Sequence, residues 1–151
     1  MIGTETVRLL LAPAALALWL QAAPVSAQIM PVVKDPSENS QRLLKMLEEE
    51  GAEPFSAEVM RLLKNEKPNA GFTDQLRAFG KKPADFSAMI YDKTYGEAIR
   101  VMLIYKQYDD GRFPFVYYQF TYKMTKDGWA MTNFRFKSDA SQAFPEGYAA
   151  P

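Results

Sequence analysis

The chain has 151 residues, carries 18 Lys and Arg against 18 Asp and Glu, and contains neither cysteine nor histidine. Balanced charge excludes the broad positive field that draws in nucleic acid, whose backbone contacts demand clustered cations. Without Cys and His the usual ligands of zinc, copper and haem are missing, as are disulfides and the commonest acid–base group at neutral pH, so no cofactor and no metal is expected.

The first stretch, MIGTETVRLLLAPAALALWLQAAPVSAQ, has one basic residue (Arg8), an apolar run from Leu9 to Leu20, and small residues ending at Ala27. That is the layout of a secretory signal peptide over 1–27, cleaved near Ala27. Pro13 interrupts the run and Gln21 ends it at roughly half the ~20 residues that cross a bilayer, so no stable membrane anchor is expected after cleavage. The expected location is periplasmic or secreted. A flexible lead-in over 28–36 then precedes one domain over 37–138 and a loose tail over 139–151.

Ser37 to Gly51 reads as a helix: Ser37 or Ser40 can cap it, Leu43, Leu44, Met46 and Leu47 form an apolar stripe, and Gly51 can take a left-handed stop. Glu48 to Glu50 read as a solvated face. A second helix fits Ser56 to Asn65, capped by Ser56 with Phe55 before it as a hydrophobic staple, and Pro68 forbids its continuation. A third, short helix fits Thr73 to Phe79, with Thr73 as cap and Gly80 as terminator.

From Pro83 the composition shifts to Tyr, Phe, Val and Ile punctuated by turn residues, the signature of an antiparallel meander. Four strands are expected: Ala84 to Asp92, Tyr95 to Tyr108, Phe113 to Met124 and Trp129 to Ser138. The separating turns are Lys93-Thr94, Asp109-Asp110-Gly111 and Lys126-Asp127-Gly128. Phe144 and Tyr148 in the tail could dock on this body. The fold class is therefore α+β, three N-terminal helices packed on a curved four-stranded meander.

Hairpin register sets which side chains share a face, because a slip of one residue turns every side chain over. A three-residue Lys126-Asp127-Gly128 loop places Tyr118 opposite Phe136, Gln119 opposite Arg135 and Phe120 opposite Phe134. One face then carries Tyr118, Phe120, Tyr122, Phe134 and Phe136; the other carries Gln119, Thr121, Lys123, Asn133 and Arg135. For the preceding hairpin, a two-residue Asp110-Gly111 loop adds Ile99, Val101, Leu103 and Tyr105 to the aromatic face. A three-residue Asp109-Asp110-Gly111 loop instead puts Arg100 there, opposite Phe120. The first is favoured, since burying an unpaired guanidinium costs several kcal/mol.

In the favoured register Met102, Ile104, Phe115, Tyr117, Trp129 and Met131 lie on the second face among Arg100, Gln119, Asn133 and Arg135. A mixed aromatic and arginine surface is the composition of a protein–protein interface. Tyr117, Gln119, Trp129, Met131 and Arg135 are its candidate residues, and homodimerisation through the sheet is expected. The alternative is that the tail from Asp139 folds back over this face.

Three helices followed by a long curved meander that closes on a Gly-Trp and an aromatic strand (KDGWAMTNFRF) resemble the α+β cone superfamily typified by nuclear transport factor two and ketosteroid isomerase. The segment DFSAMIYDKTYGEAIRVMLIYKQYDDGRFPFVYYQFTYKMTKDGWAMTNFRFKSD is similar in layout to its small exported members without assigned activity. The resemblance implies a cone-like space between helices and sheet where some members bind or isomerise small apolar molecules. Arg100, Tyr118, Phe120, Tyr122 and Phe134 are then the ligand-pocket candidates, with a small apolar or acidic amphiphilic ligand; Arg77 is a poorer cation for that role. An isomerase would need a pocket carboxylate and an oxyanion donor. Asp85 or Asp92 with Tyr91, Tyr95, Tyr118 or Tyr122 are the residues to consider, each set against a plainer place at a strand end or in the core. A histidine-dependent dehydratase is contradicted by the absence of His. The leading reading is a non-catalytic exported binding or interaction module; the alternatives are an acid–base isomerase and a subunit of an envelope assembly.

Overall fold

The computed structural model describes residues 30–64, 70–109 and 114–144. The expected signal segment, Asp110 to Phe113 and Tyr148 lie outside them. In chain order the elements are β1 (Val32–Val33), α1 (Pro36–Glu49), α2 (Ala52–Leu62), α3 (Ala70–Leu76), β2 (Phe86–Tyr95), β3 (Ile99–Gln107), β4 (Phe115–Thr125), β5 (Gly128–Lys137) and α4 (Ala140–Ala143). The fold is α+β: helices α1 to α3 cover one face of a curled antiparallel sheet ordered β1-β5-β4-β3-β2.

The sheet has five strands rather than four. The added strand is β1, in the expected flexible lead-in, where Val32 pairs with Ala130 and Val33 with Trp129. Gly128 makes room for it. Its φ is +136°, and a Cβ there would stand 3.0 Å from the Val33 carbonyl oxygen.

Each helix starts earlier than its polar residues suggested. Asp35, not a serine, caps α1 by accepting from the Ser37 amide at 2.7 Å, and Pro36 occupies the first helical position, where its missing N–H costs nothing. Gly51, with φ +108°, ends α1 and opens α2. Ser56 and Thr73 are not caps; they lie inside α2 and α3 and bond to each other, Thr73 Oγ1 donating to Ser56 Oγ at 3.0 Å. Asn65, the expected end of the second helix, is outside the described residues. The stripes Leu43, Leu44, Leu47 and Phe55, Val59, Leu62 are buried together with Leu76 against Met102, Ile104, Val116, Tyr118, Phe120, Tyr122, Met131 and Phe134. Burying one such side chain is worth about 1.5–3 kcal/mol before ordering entropy.

The β4–β5 hairpin pairs Tyr118 with Phe136, Gln119 with Arg135 and Phe120 with Phe134, as expected, but by a different route. The turn has two residues, Lys126 and Asp127, so Thr125 pairs with Gly128. Thr132 is then an extra residue in β5, between the pairs Thr121–Asn133 and Tyr122–Met131, and its hydroxyl donates to the Thr121 carbonyl at 3.2 Å. The bulge restores the register beyond it and reverses the facing before it. Trp129 and Met131 consequently point at the helices, not at the outer face, and Met131 is buried.

The β3–β4 hairpin contradicts the favoured register. Met102 faces Phe120, Ile104 faces Tyr118 and Arg100 faces Tyr122. Arg100, Met102 and Ile104 therefore belong to the helix-covered face, while Ile99, Val101, Leu103 and Tyr105 belong to the outer one. The penalty invoked against this register does not arise, because Asp92 on β2 binds the Arg100 guanidinium with both carboxylate oxygens, at 2.8 and 2.7 Å. Asp35 adds a third oxygen at 3.8 Å. The β2–β3 turn falls at Gly96 to Ala98 rather than at Lys93-Thr94, and an Ile90 bulge interrupts β2.

Candidate functional site

The five ligand-pocket candidates of the sequence do share one wall. Tyr118, Phe120, Tyr122 and Phe134 line the helix-facing side of β4 and β5, and Arg100 neighbours Tyr122 on β3. The four aromatic ones form packed core, not an open surface, while Arg100 stays partly exposed. Tyr118, Phe120 and Tyr122 have no exposed area, and the Phe134 ring centroid lies 5.0 Å from that of Phe120 and 5.3 Å from that of Phe55. Phe55 of α2 thus occupies the space between the helices and this wall.

The polar atoms in this layer are engaged. Tyr122 Oη accepts from Asn39 Nδ2 at 3.0 Å and shares a hydrogen bond with Ser40 Oγ at 2.8 Å, so α1 is tied to β4 through one phenol. Burial pushes the Tyr122 hydroxyl above its ordinary pKa, against the opposing pull of Ser40 and Asn39. Tyr108 and Tyr118 share a bond at 3.0 Å; burial raises Tyr108 to about 12 and Tyr118 well above its ordinary value. Glu48, expected in a solvated face, accepts from the buried Lys106 ammonium of β3. Of the carboxylates considered as bases, Asp92 holds Arg100 and Asp85 accepts from the Asp109 amide. No buried side-chain nitrogen or oxygen among the described residues lacks a partner, and none of their His, Cys, Asp and Glu residues form a group able to hold a metal.

On the outer face Tyr117, Gln119 and Arg135 sit as expected, with Arg135 donating to Gln119. Phe86, Tyr105, Phe115 and Tyr117 make a row across β2, β3 and β4, with ring centroids 5.4 to 6.1 Å apart. The tail returns to one end of this row, where Phe144 meets Tyr117 at 6.2 Å. This is the fold-back alternative in part, since Phe86 and Phe115 keep 54% and 44% of their surface.

Open space occurs elsewhere. A cleft of about 750 Å³ lies between the end of α3 and the ends of β4 and β5, with α4 on its far side. Its floor is Phe79, Val116 and Phe136; its rim is Asp74, Gln75, Arg77, Ala78, Lys137, Ser138 and Gln142. The floor is set by strand alternation in β4 and β5 together with the turn after α3, in which Phe79 packs edge-on to Phe136 at 6.1 Å. Arg77 is committed at the rim: Nε donates to Glu53 at 2.7 Å and a terminal nitrogen to Asp74. Lys137 pairs with Tyr117 at the end of β5 and, by strand alternation, directs its side chain to the outer face of the sheet. Sequence reasoning recognised Phe79 and Phe136 as apolar but missed the cleft, because its far wall is the short α4 in a segment whose composition reads as loose.

Compared with protein-family models, with curated proteins and with solved structures, the chain matches none of them.

Proposed function

We propose that the protein is an exported, non-catalytic binding module that takes a small, mainly apolar molecule in the cleft between α3 and the β4–β5 end. One observation carries this reading: an open concavity within the volume range of small-ligand sites, with an aromatic and aliphatic floor and a polar rim. The filled interior and the engagement of Asp85 and Asp92 support binding over acid–base chemistry, since a general base must be free to reach its proton. Helices laid over a curled antiparallel sheet support the likeness to the α+β cone superfamily, with the binding space moved from the filled interior to its rim. Export rests on the leader-like first 27 residues.

The test is titration with the uncharged fluorophore N-phenyl-1-naphthylamine. Saturable one-to-one enhancement is expected, abolished in Ala78→Trp, whose indole would occupy the cleft from an exposed rim position and leave the core untouched. Equal enhancement by wild type and Ala78→Trp would refute the cleft as the site.

A further inference from the structure

We infer that the open edge of β5, from Asn133 to Lys137, is a docking site for an extended segment of a partner protein in which apolar residues alternate with acidic ones. The edge is open because β1 is short. β5 runs from Gly128 to Lys137, yet β1 pairs only with Trp129 and Ala130. Pro31, just before β1, has no N–H with which to carry the ladder further. Beyond the Thr132 bulge, Asn133 to Lys137 pair regularly with β4 on one side. In an antiparallel ladder every second residue turns its N–H and C=O away from that partner. Among the described residues no hydrogen bond takes up those outward groups. The far edge of the sheet, β2, is open too, but the Ile90 bulge breaks it at mid-length, a device that blocks pairing.

The side chains on either face of β5 say what an added strand should carry. A residue opposite Arg135 or Lys137 shares their outer face, and one opposite Phe134 or Phe136 shares the helix-covered face. Arg135 is exposed and bonds a neutral partner, Gln119, with no carboxylate on the strands around it. Asp139 follows Lys137 closely in the chain, so the positive character of this edge is greatest at Arg135. An acidic residue there gains a cross-strand ion pair. On the other face, Phe136 and the Phe72 ring 6.2 Å from it are only partly buried, so apolar side chains gain contact. Main-chain bonds then hold the segment, and its alternate side chains select it.

The probe is a fluorescein-labelled peptide of alternating glutamate and valine, compared by anisotropy with one of alternating lysine and valine. At low salt the glutamate peptide should bind saturably and about tenfold more tightly than the lysine peptide, a modest ratio because the ion pairs are exposed. Arg135→Glu should reverse the order, with unchanged circular dichroism showing that it folds. Methylating every second nitrogen of the peptide should abolish binding for one set and spare it for the alternate set, since a strand pairs through one edge. Amide exchange in the wild-type protein needs no variant: the glutamate peptide should slow alternate amides between Asn133 and Lys137 and leave β2 unchanged. Equal binding of the two peptides, equal binding of the two methylated forms, or protection at β2 instead would each overturn the inference. Protection of the same amides in the protein alone, rising with its concentration, would overturn it in favour of a second copy on the edge. No binding of either peptide would overturn it and leave Arg135 and Lys137 as charges that keep the edge unpaired.

Discussion

Tyr122→Phe removes a single oxygen from the protein and tests how α1 is held to the sheet. The phenol is bonded to Asn39 Nδ2 and Ser40 Oγ, and all three residues are buried. Leaving a buried donor or acceptor without a partner costs about 1–3 kcal/mol, so two orphaned groups set an upper bound of about 6. Two adjustments reduce it. Ser40 sits inside α1 and can turn its hydroxyl to the carbonyl four residues back, and Asn39 keeps its other bond, Oδ1 accepting from Arg42 at 2.9 Å. About 2 kcal/mol should therefore remain, at no cost in packing, because the ring is unchanged. Ser40→Ala alone should cost about 1 kcal/mol. The double variant should cost about 1 kcal/mol less than the sum, since each single change orphans the same bond. Urea unfolding of the four proteins measures this. A cost below about 0.5 kcal/mol for Tyr122→Phe, or strict additivity, would refute the bonded tie and return Tyr122 to the ligand-contacting role that its sequence position suggested.

Three further outcomes follow from the same geometry. Glu58 is held at a pKa of about 2, first by its hydrogen bond to Arg61 and further by Arg42, against an opposing effect of burial. A carboxyl lowered on folding stabilises above its unfolded value near 4.5 and loses that contribution as pH falls towards 2, so stability should drop by about 1–2 kcal/mol over this window, less at high salt, and Glu58→Gln should flatten that part of the profile. Gly128→Ala should destabilise by about 1–3 kcal/mol and loosen β1, because the residue is left-handed and a Cβ would press on the Val33 carbonyl; faster amide exchange at Trp129 and Ala130 checks this, and unchanged exchange would contradict it. The outer strand face carries Lys93, Lys123, Arg135 and Lys137 and no strand carboxylate, so any dimer formed through it should be weak at low salt and strengthen as salt screens the cations. Light scattering over a salt series that showed a tight dimer loosening with salt would contradict that.

Much of the fold is legible in local pattern. The leucine stripes of α1 and α2 and the shared face of Tyr118, Phe120, Tyr122, Phe134 and Phe136 each repeat at the period of their element, and the structure turns these residues to the core. What stayed hidden depends on contacts distant in sequence or on single-residue irregularities. The Phe120–Phe134 pairing follows from a three-residue turn in the sequence, whereas in the structure a two-residue turn and the Thr132 bulge offset each other. Only Trp129 and Met131, before the bulge, reveal the difference by facing the core. Arg100 was turned outward because its partner could not be seen: Asp92 is eight residues away, and becomes a neighbour only once the β2–β3 register is known. The two valines of β1 are too few to show alternation, and they form a strand only because β5 offers an edge. The Asp35-Pro36 start of α1 was readable, since a capping acid before a proline is a local signal that outranks the serines after it. The cleft was not, because it is a gap left between α3 and α4, and sequence pattern reports what packs.

Amide chemical shifts of isotope-labelled protein, followed as N-phenyl-1-naphthylamine is added, test the central claim most directly. The account predicts saturable changes concentrated at Gln75 to Phe79 and at Phe136 to Gln142. Changes centred on Tyr118, Phe120 and Tyr122, or none at any residue, would contradict it.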